Sequence, residues 1–145
     1  MDRFVFNVHY LRGKLEKWLL NPGKNGKLER LAVVEIAKQL YPREVEMLGN
    51  LTCPFCGAVF TLRTSLRRHL GMSRKMTECR ARFKNMVDHI LETYVDFMDS
   101  LKILKYHGRR RYRLTNSEGV AFKFKHITEA ATFYVNNYAK VKVIW

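Results

Sequence analysis

The sequence predicts an α+β fold: a helical scaffold, a small ββα module bearing cysteine and histidine set within it, and a C-terminal β-hairpin–helix–strand module. Three observations predict it. Apolar residues recur at helical spacing through residues 1–50 and again through 80–104. Cys53 and Cys56 are separated by two residues and followed by His69. Residues 109–125 alternate between basic and apolar side chains, the period of a half-buried strand. The expected organisation is 1–50 (helical region), 51–80 (Cys-His module) and 81–145 (long helix, hairpin, helix, terminal strand).

In the N-terminal region Phe4, Val8, Leu11, Leu15 and Leu19 fall on one helical stripe, with Arg12, Lys14, Glu16 and Lys17 mostly on the other side. Phe4, Phe6, Val8 and Tyr10 also alternate as a short strand would; the longer stripe favours helix. Asn21-Pro22-Gly23-Lys24-Asn25-Gly26 is turn chemistry. A second helix is expected from Leu28 to Leu40 on Leu31, Val34, Ile36 and Leu40, with Pro42 closing it or opening the next turn. The two read as an antiparallel pair burying its stripe rather than as a helix-turn-helix, because Glu29 to Gln39 carries no basic recognition face. Trp18 reads as core.

In Cys53-Pro54-Phe55-Cys56 two thiols at one tight turn can reach the same ion, and a following helix that supplies His69 adds an imidazole; zinc takes thiolate and imidazole at tetrahedral corners. Phe60 follows Cys56 by four positions, Leu66 by ten and His69 by thirteen. This run resembles the first two-thirds of a C2H2 zinc finger, and the resemblance implies that Phe60 and Leu66 form the small core between hairpin and helix. Where that family places its fourth ligand, this chain has Ser73, Arg74 and Lys75. Cys79 is the remaining cysteine. Gly71 can end the helix and let the chain loop back, giving a C2HC set of Cys53, Cys56, His69 and Cys79 around one Zn2+, with His89 as the fallback ligand. The family's docking implies that Leu62, Ser65 and Arg68 face bases, while Arg63, Arg67, Arg74 and Lys75 clamp phosphates.

Beyond the module, Phe83, Met86, Val87, Ile90, Leu91, Tyr94, Met98 and Leu101 make a helical stripe over about 80–104, and Asp88, Glu92, Asp96 and Asp99 lie mainly on the solvated side. Arg109 to Leu114 then alternates, Thr115 to Gly119 supplies a turn, and Val120, Phe122 and Phe124 alternate with Lys123 and Lys125. Paired, these strands form a ribbon whose outer face carries Arg111, Arg113, Lys123 and Lys125, with Arg109 at its start. A two-stranded ribbon fits a major groove, and guanidinium forks suit phosphates or guanine edges. The plain alternative is an edge sheet made basic to discourage aggregation. Thr128 can cap a helix over 129–140. Phe124 to Ala131 looks like the F-x-S-I-x-E-A-A stretch of DNA-binding modules appended to homing endonucleases, with His126 in place of Ser and without that module's second half. The order hairpin then helix is also similar to AP2-type DNA-binding domains. Val141, Val143 and Trp145 suggest a closing strand.

The chain has 145 residues, 27 basic against 13 acidic, a net charge of +14, and enough hydrophobic residues (47%) for a modest core. That charge favours polyanions through steering and counterion release. It is densest at 51–80, where six basic residues meet one acidic one. Three cysteines are too few for a disulfide framework and fall around one metal site, which points to a reducing compartment. No leader-like segment opens the chain and no run reaches about 18 apolar residues, so a soluble intracellular protein (host cytoplasm or nucleoid) without a membrane partner is expected. No catalytic constellation stands out. An HNH-type nuclease can contain paired cysteines, but His9, His89, His107 and His126 are scattered, and no phosphate-cradling glycine loop or nucleophile elbow is present. The expectation is a non-enzymatic, zinc-dependent regulator of transcription binding double-stranded DNA, similar to small zinc-finger proteins of archaeal viruses and plasmids. The alternative is a basic structural or inhibitory protein binding RNA, the ribosome or a polymerase's nucleic-acid channel.

Overall fold

The computed structural model describes residues 2–20, 28–71 and 75–139, the stretch 2–10 as backbone alone. Its elements, in order, are α1 (Asp2–Leu20), α2 (Leu28–Leu40), α3 (Pro42–Gly49), α4 (Arg63–Leu70), α5 (Glu78–Ser100), β1 (Leu101–Tyr106), β2 (Arg109–Thr115), β3 (Ala121–Phe124) and α6 (Ile127–Tyr138). The α+β class is as expected. Helix wins over strand at the N-terminus, and Leu11, Leu15 and Leu19, one turn apart, are all buried. The side chains of Phe4 and Val8, the turn at 21–26, Arg74 and the strand expected over 141–145 lie outside the described residues.

Helices α1, α2 and α3 pack on one another, and α5 packs on both α1 and α2. Of the expected α5 stripe Phe83, Met86, Val87, Ile90, Leu91 and Tyr94 are buried and Met98 and Leu101 partly so; Phe97, outside that stripe, is buried as well. Helix α2 ends at Leu40, and Pro42, expected to close it or open a turn, opens α3 instead, its fixed φ suiting the first helical position where no N–H is needed. Just before it, Tyr41 reaches into the core, where its hydroxyl and His89 Nδ1 share a hydrogen bond of 2.7 Å. His89 is therefore an interior residue tying α5 to the α2–α3 junction. It does not join the cysteines as a ligand: the ligand atoms that gather are those of Cys53, Cys56, His69 and Cys79. Trp18 is half-buried against the core, with the Arg30 guanidinium 5.8 Å from its ring.

The largest departure from expectation is at the end of α5. The helix stops at Ser100 and the chain continues directly into β1, so the expected hairpin is the second half of a three-stranded antiparallel sheet of order β1-β2-β3. Leu101 and Leu104 continue the apolar spacing of α5, which hides the switch of period. His107 (φ 50°) and Gly108 (φ 79°) make the two-residue reversal between β1 and β2, the left-handed pair that hairpin twist requires. Between β2 and β3, the Asn116 side-chain oxygen accepts the N–H groups of Glu118 and Val120 (both 2.9 Å), and Gly119 takes φ 84°.

The register pairs Leu114 with Leu101 and Phe122, and Tyr112 with Ile103 and Phe124, on one face. That face packs on α6, where Phe133 meets Phe122 and Phe124 at 4.7 and 5.4 Å between ring centroids. Val120, expected inside, is 47% exposed because it belongs to the turn. Helix α6 starts at Ile127 with His126 at its cap, so Thr128 lies inside the first turn, its carbonyl accepting the Thr132 hydroxyl, instead of capping. No helix of the described residues is long and apolar enough to cross a membrane.

Candidate metal centre

Between α3 and α4 the chain makes a short knuckle. Thr52 and Val59 form an isolated antiparallel bridge, Cys53 N–H donates to the Ala58 carbonyl and Gly57 N–H to the Cys53 carbonyl, both at 2.9 Å. Gly57 adopts φ 79°, a conformation a side chain resists, and so permits the tight reversal after Cys56. The expected two-stranded hairpin is thus reduced to one bridge. The helix after it starts at Arg63, which makes His69 its seventh residue and carries the imidazole back over the knuckle. The Phe60 and His69 rings meet at 5.2 Å, tilted by 45°, and Leu66 is fully buried.

One ligand atom from each of Cys53, Cys56, His69 and Cys79 lies within 4.8 Å of all the others. Cys56 Sγ and His69 Nε2 are 3.5 Å apart; a tetrahedron with Zn–S of about 2.3 Å and Zn–N of about 2.0–2.1 Å has an S···N edge of about 3.6 Å. Four donors so disposed can hold one metal ion. Their electrostatics are those of thiols that ionise together only beside a cation. Burial pushes the Cys53 thiol up, against the backbone N–H groups of Phe55 and Cys56 that pull it down. Cys79 is pushed up to about 12, by burial first and then by hydrogen bonding with Cys56 and Cys53. Cys56 alone is lowered, chiefly by the Ala58 backbone N–H. Three sulfurs this close do not all ionise without a cation among them, and a divalent ion reverses that preference.

Cys79 is not brought back by a loop alone: it sits on the first turn of the long helix α5. Thr77 caps that helix, its hydroxyl accepting Arg80 N–H at 3.3 Å, so the Cys79 sulfur lies near the positive helix end. The Arg80 guanidinium donates to the carbonyls of Lys75 (2.5 Å) and Arg68 (2.8 Å), tying the end of α4 to the start of α5. Cys53, Leu66 and Leu70 belong to the same apolar cluster as α1, α2 and α5. A bound ion would therefore fasten the module to the scaffold.

Gly71 ends α4, and a Cβ there would stand 2.8 Å from the Arg67 carbonyl oxygen, a backbone atom. Gly71→Ala is expected to destabilise the metal-loaded protein by about 1–3 kcal/mol and to weaken metal retention, read from urea unfolding and a chelator competition. An unchanged midpoint would show that the linker relaxes without cost.

Of the residues expected to face nucleic acid, Arg63, Arg67 and Arg68 are exposed on α4 and Ser65 is half-buried. Arg67 stands near Glu16 of α1: burial raises that carboxyl's pKa, and Arg67 is the leading influence lowering it. Lys75 is exposed in the linker. Arg109, Lys123 and Lys125 are exposed, and Arg111 and Arg113 half-buried. Helix α4 is supported by α5 and the sheet by α6, so the two basic surfaces rest on different elements. The sequence reading missed Thr77 and Arg80 as supports of the site; a threonine just before an amphipathic run was the available signal. Lys102 gives no signal of its own, because Leu101 and Leu104 on either side continue the helical stripe of α5. No protein family, curated protein or solved structure matches the chain, so any functional reading rests on these residues themselves.

Proposed function

We propose that this chain is a zinc-dependent double-stranded DNA-binding protein that regulates transcription, its Cys3His site a structural C2HC zinc centre of zinc-finger type. Three thiolates and an imidazole form a closed, soft donor set with no position left for substrate, which suits structural zinc. Zinc there would neutralise the thiolates and fix α4; the DNA contacts belong to the chain's own side chains.

The observation that carries the DNA reading is the outer face of the sheet. Lys102, Arg109, Arg111, Arg113 and Lys123 share it by register, with no carboxylate on that face. None of the five forms an ion pair among the described residues. Three strands at about 4.8 Å spacing span about 10 Å, within a major groove about 12 Å wide. On α4, Arg68 is the one base-facing position suited to guanine, and Arg63 and Arg67 suit phosphates.

The deciding experiment is binding of the zinc-loaded protein to labelled duplex DNA and to structured RNA over a salt series, repeated after chelation. Duplex preference that survives moderate salt and is lost on chelation is the expected result. Equal, steeply salt-dependent binding to both, indifferent to chelation, would defeat it. A second reading, a basic protein docked in an acidic nucleic-acid channel, is favoured by Val59 (76% exposed) and Leu62 (61% exposed), apolar side chains flanking the start of α4 that no base edge needs. It predicts binding to a protein target in the absence of nucleic acid.

A further inference from the structure

We propose that Lys102, Arg113 and Lys123 form a phosphate-binding row for the backbone of double-stranded DNA, held together by a sheet that the row itself destabilises while no DNA is bound. The inference rests on the DNA-binding reading above and assigns it a specific site. Lys102 pairs directly with Arg113 across β1 and β2, and Arg113 pairs directly with Lys123 across β2 and β3. Three cations therefore stand side by side at strand spacing, across the whole sheet. Like charges directly opposite on neighbouring strands repel and weaken the pairing.

Among the described residues no ion pair relieves that repulsion. From Leu101 to Phe124 the only acidic residue is Glu118, which lies in the β2–β3 turn, its backbone N–H donating to Asn116. Arg113 is half-buried, and its Nε–H is covered without an acceptor among the described residues. Protection against aggregation can account for Lys102 and Lys123 on the edge strands but not for Arg113. Charges serve that purpose on edge strands, and β2 is paired on both sides, so Arg113 guards no free edge. A row of fixed cations on a rigid sheet does match a polyphosphate backbone, whose binding releases condensed counterions and neutralises all three charges at once.

The test uses the full chain with Lys102→Thr, Arg113→Thr and Lys123→Thr, threonine being a good strand residue, and Lys38→Gln on the exposed side of α2 as control. Without DNA, each row variant is expected to melt higher than the parent at low salt, by about 2 °C, and the gain should vanish at high salt. With labelled duplex, each should bind about 3- to 10-fold more weakly and reduce the slope of log Kd against log salt by about one. The control should change neither. Row variants that melt lower than the parent, or at the same temperature, would overturn the stored repulsion. An unchanged salt slope in row variants, beside a parent that binds duplex normally, would overturn the phosphate assignment and leave the DNA reading standing. A parent that shows no duplex binding would remove both. Inorganic polyphosphate at equal phosphate concentration is expected to displace the duplex only weakly; full displacement would make the row a general polyanion site and overturn its assignment to DNA.

Discussion

Stripping the metal is expected to unfold the stretch from Leu51 to Cys79 and to weaken the scaffold with it. Zinc sites of this donor type contribute about 10–16 kcal/mol of apparent binding energy in small fingers, as much as the whole stability of an ordinary domain at about 5–15 kcal/mol. The knuckle offers little else: one isolated bridge, a few backbone hydrogen bonds and a helix of eight residues. Because Leu66, Leu70 and Cys53 share the scaffold's apolar cluster, and Cys79 belongs to α5 itself, the loss should spread into the first turns of α5. Elemental analysis should find one ion per chain. Hydrogen exchange with and without chelator should show protection over 63–70 and 78–86 disappear together. Cys79→Ser should behave like chelation, whereas His89→Phe should keep its ion, since that imidazole lies outside the four-ligand cluster. Retained protection over 63–70 in the chelated protein would refute a structural metal.

How far the sequence foretold this centre differs between its ligands. Cys53, Cys56 and His69 were legible because a turn and one helix fix their spacing, and register arguments work within so short a span. Cys79 was legible only as the cysteine left over. What places it is the Thr77 cap, a local signal, together with the Arg80 bridge, a contact between segments that no local period announces. The same distinction holds for the sheet. The faces of β2 and β3 were legible from alternation, since each has one buried side. Strand β1 was hidden because Leu101 and Leu104, three apart, continue the helical stripe, whereas in the strand they fall on opposite faces, Leu101 beside Leu114 and Leu104 beside Arg111; the left-handed His107-Gly108 turn is what marks the reversal. With β1 missed, a two-stranded ribbon stood where a three-stranded sheet belongs, and Lys102 went unrecognised as the partner of Arg113.

Reversing charge on either basic surface is expected to weaken duplex binding by one to two orders of magnitude, taking about 1–3 kcal/mol for each arginine that meets a base edge or phosphate. The two surfaces should separate by kind of loss. Arg68→Glu, at the sixth residue of α4, should cut affinity most for sites with guanine at one position, because the other base-facing residues there, Leu62 and Ser65, discriminate poorly. Arg111→Glu with Arg113→Glu should cut it for every sequence and flatten the salt dependence. Unfolding does not account for the second result. Arg113→Glu converts two like-charge pairs, with Lys102 and Lys123, into opposite-charge pairs, a change that favours the sheet by about 0.2–1 kcal/mol per pair. A sheet variant that melts higher yet binds more weakly would locate the loss in recognition itself. Full affinity in both variants would remove the idea that α4 and the sheet act together, and full affinity in Arg68→Glu alone would leave α4 as scaffold for the metal and the sheet as the sole reader of the duplex.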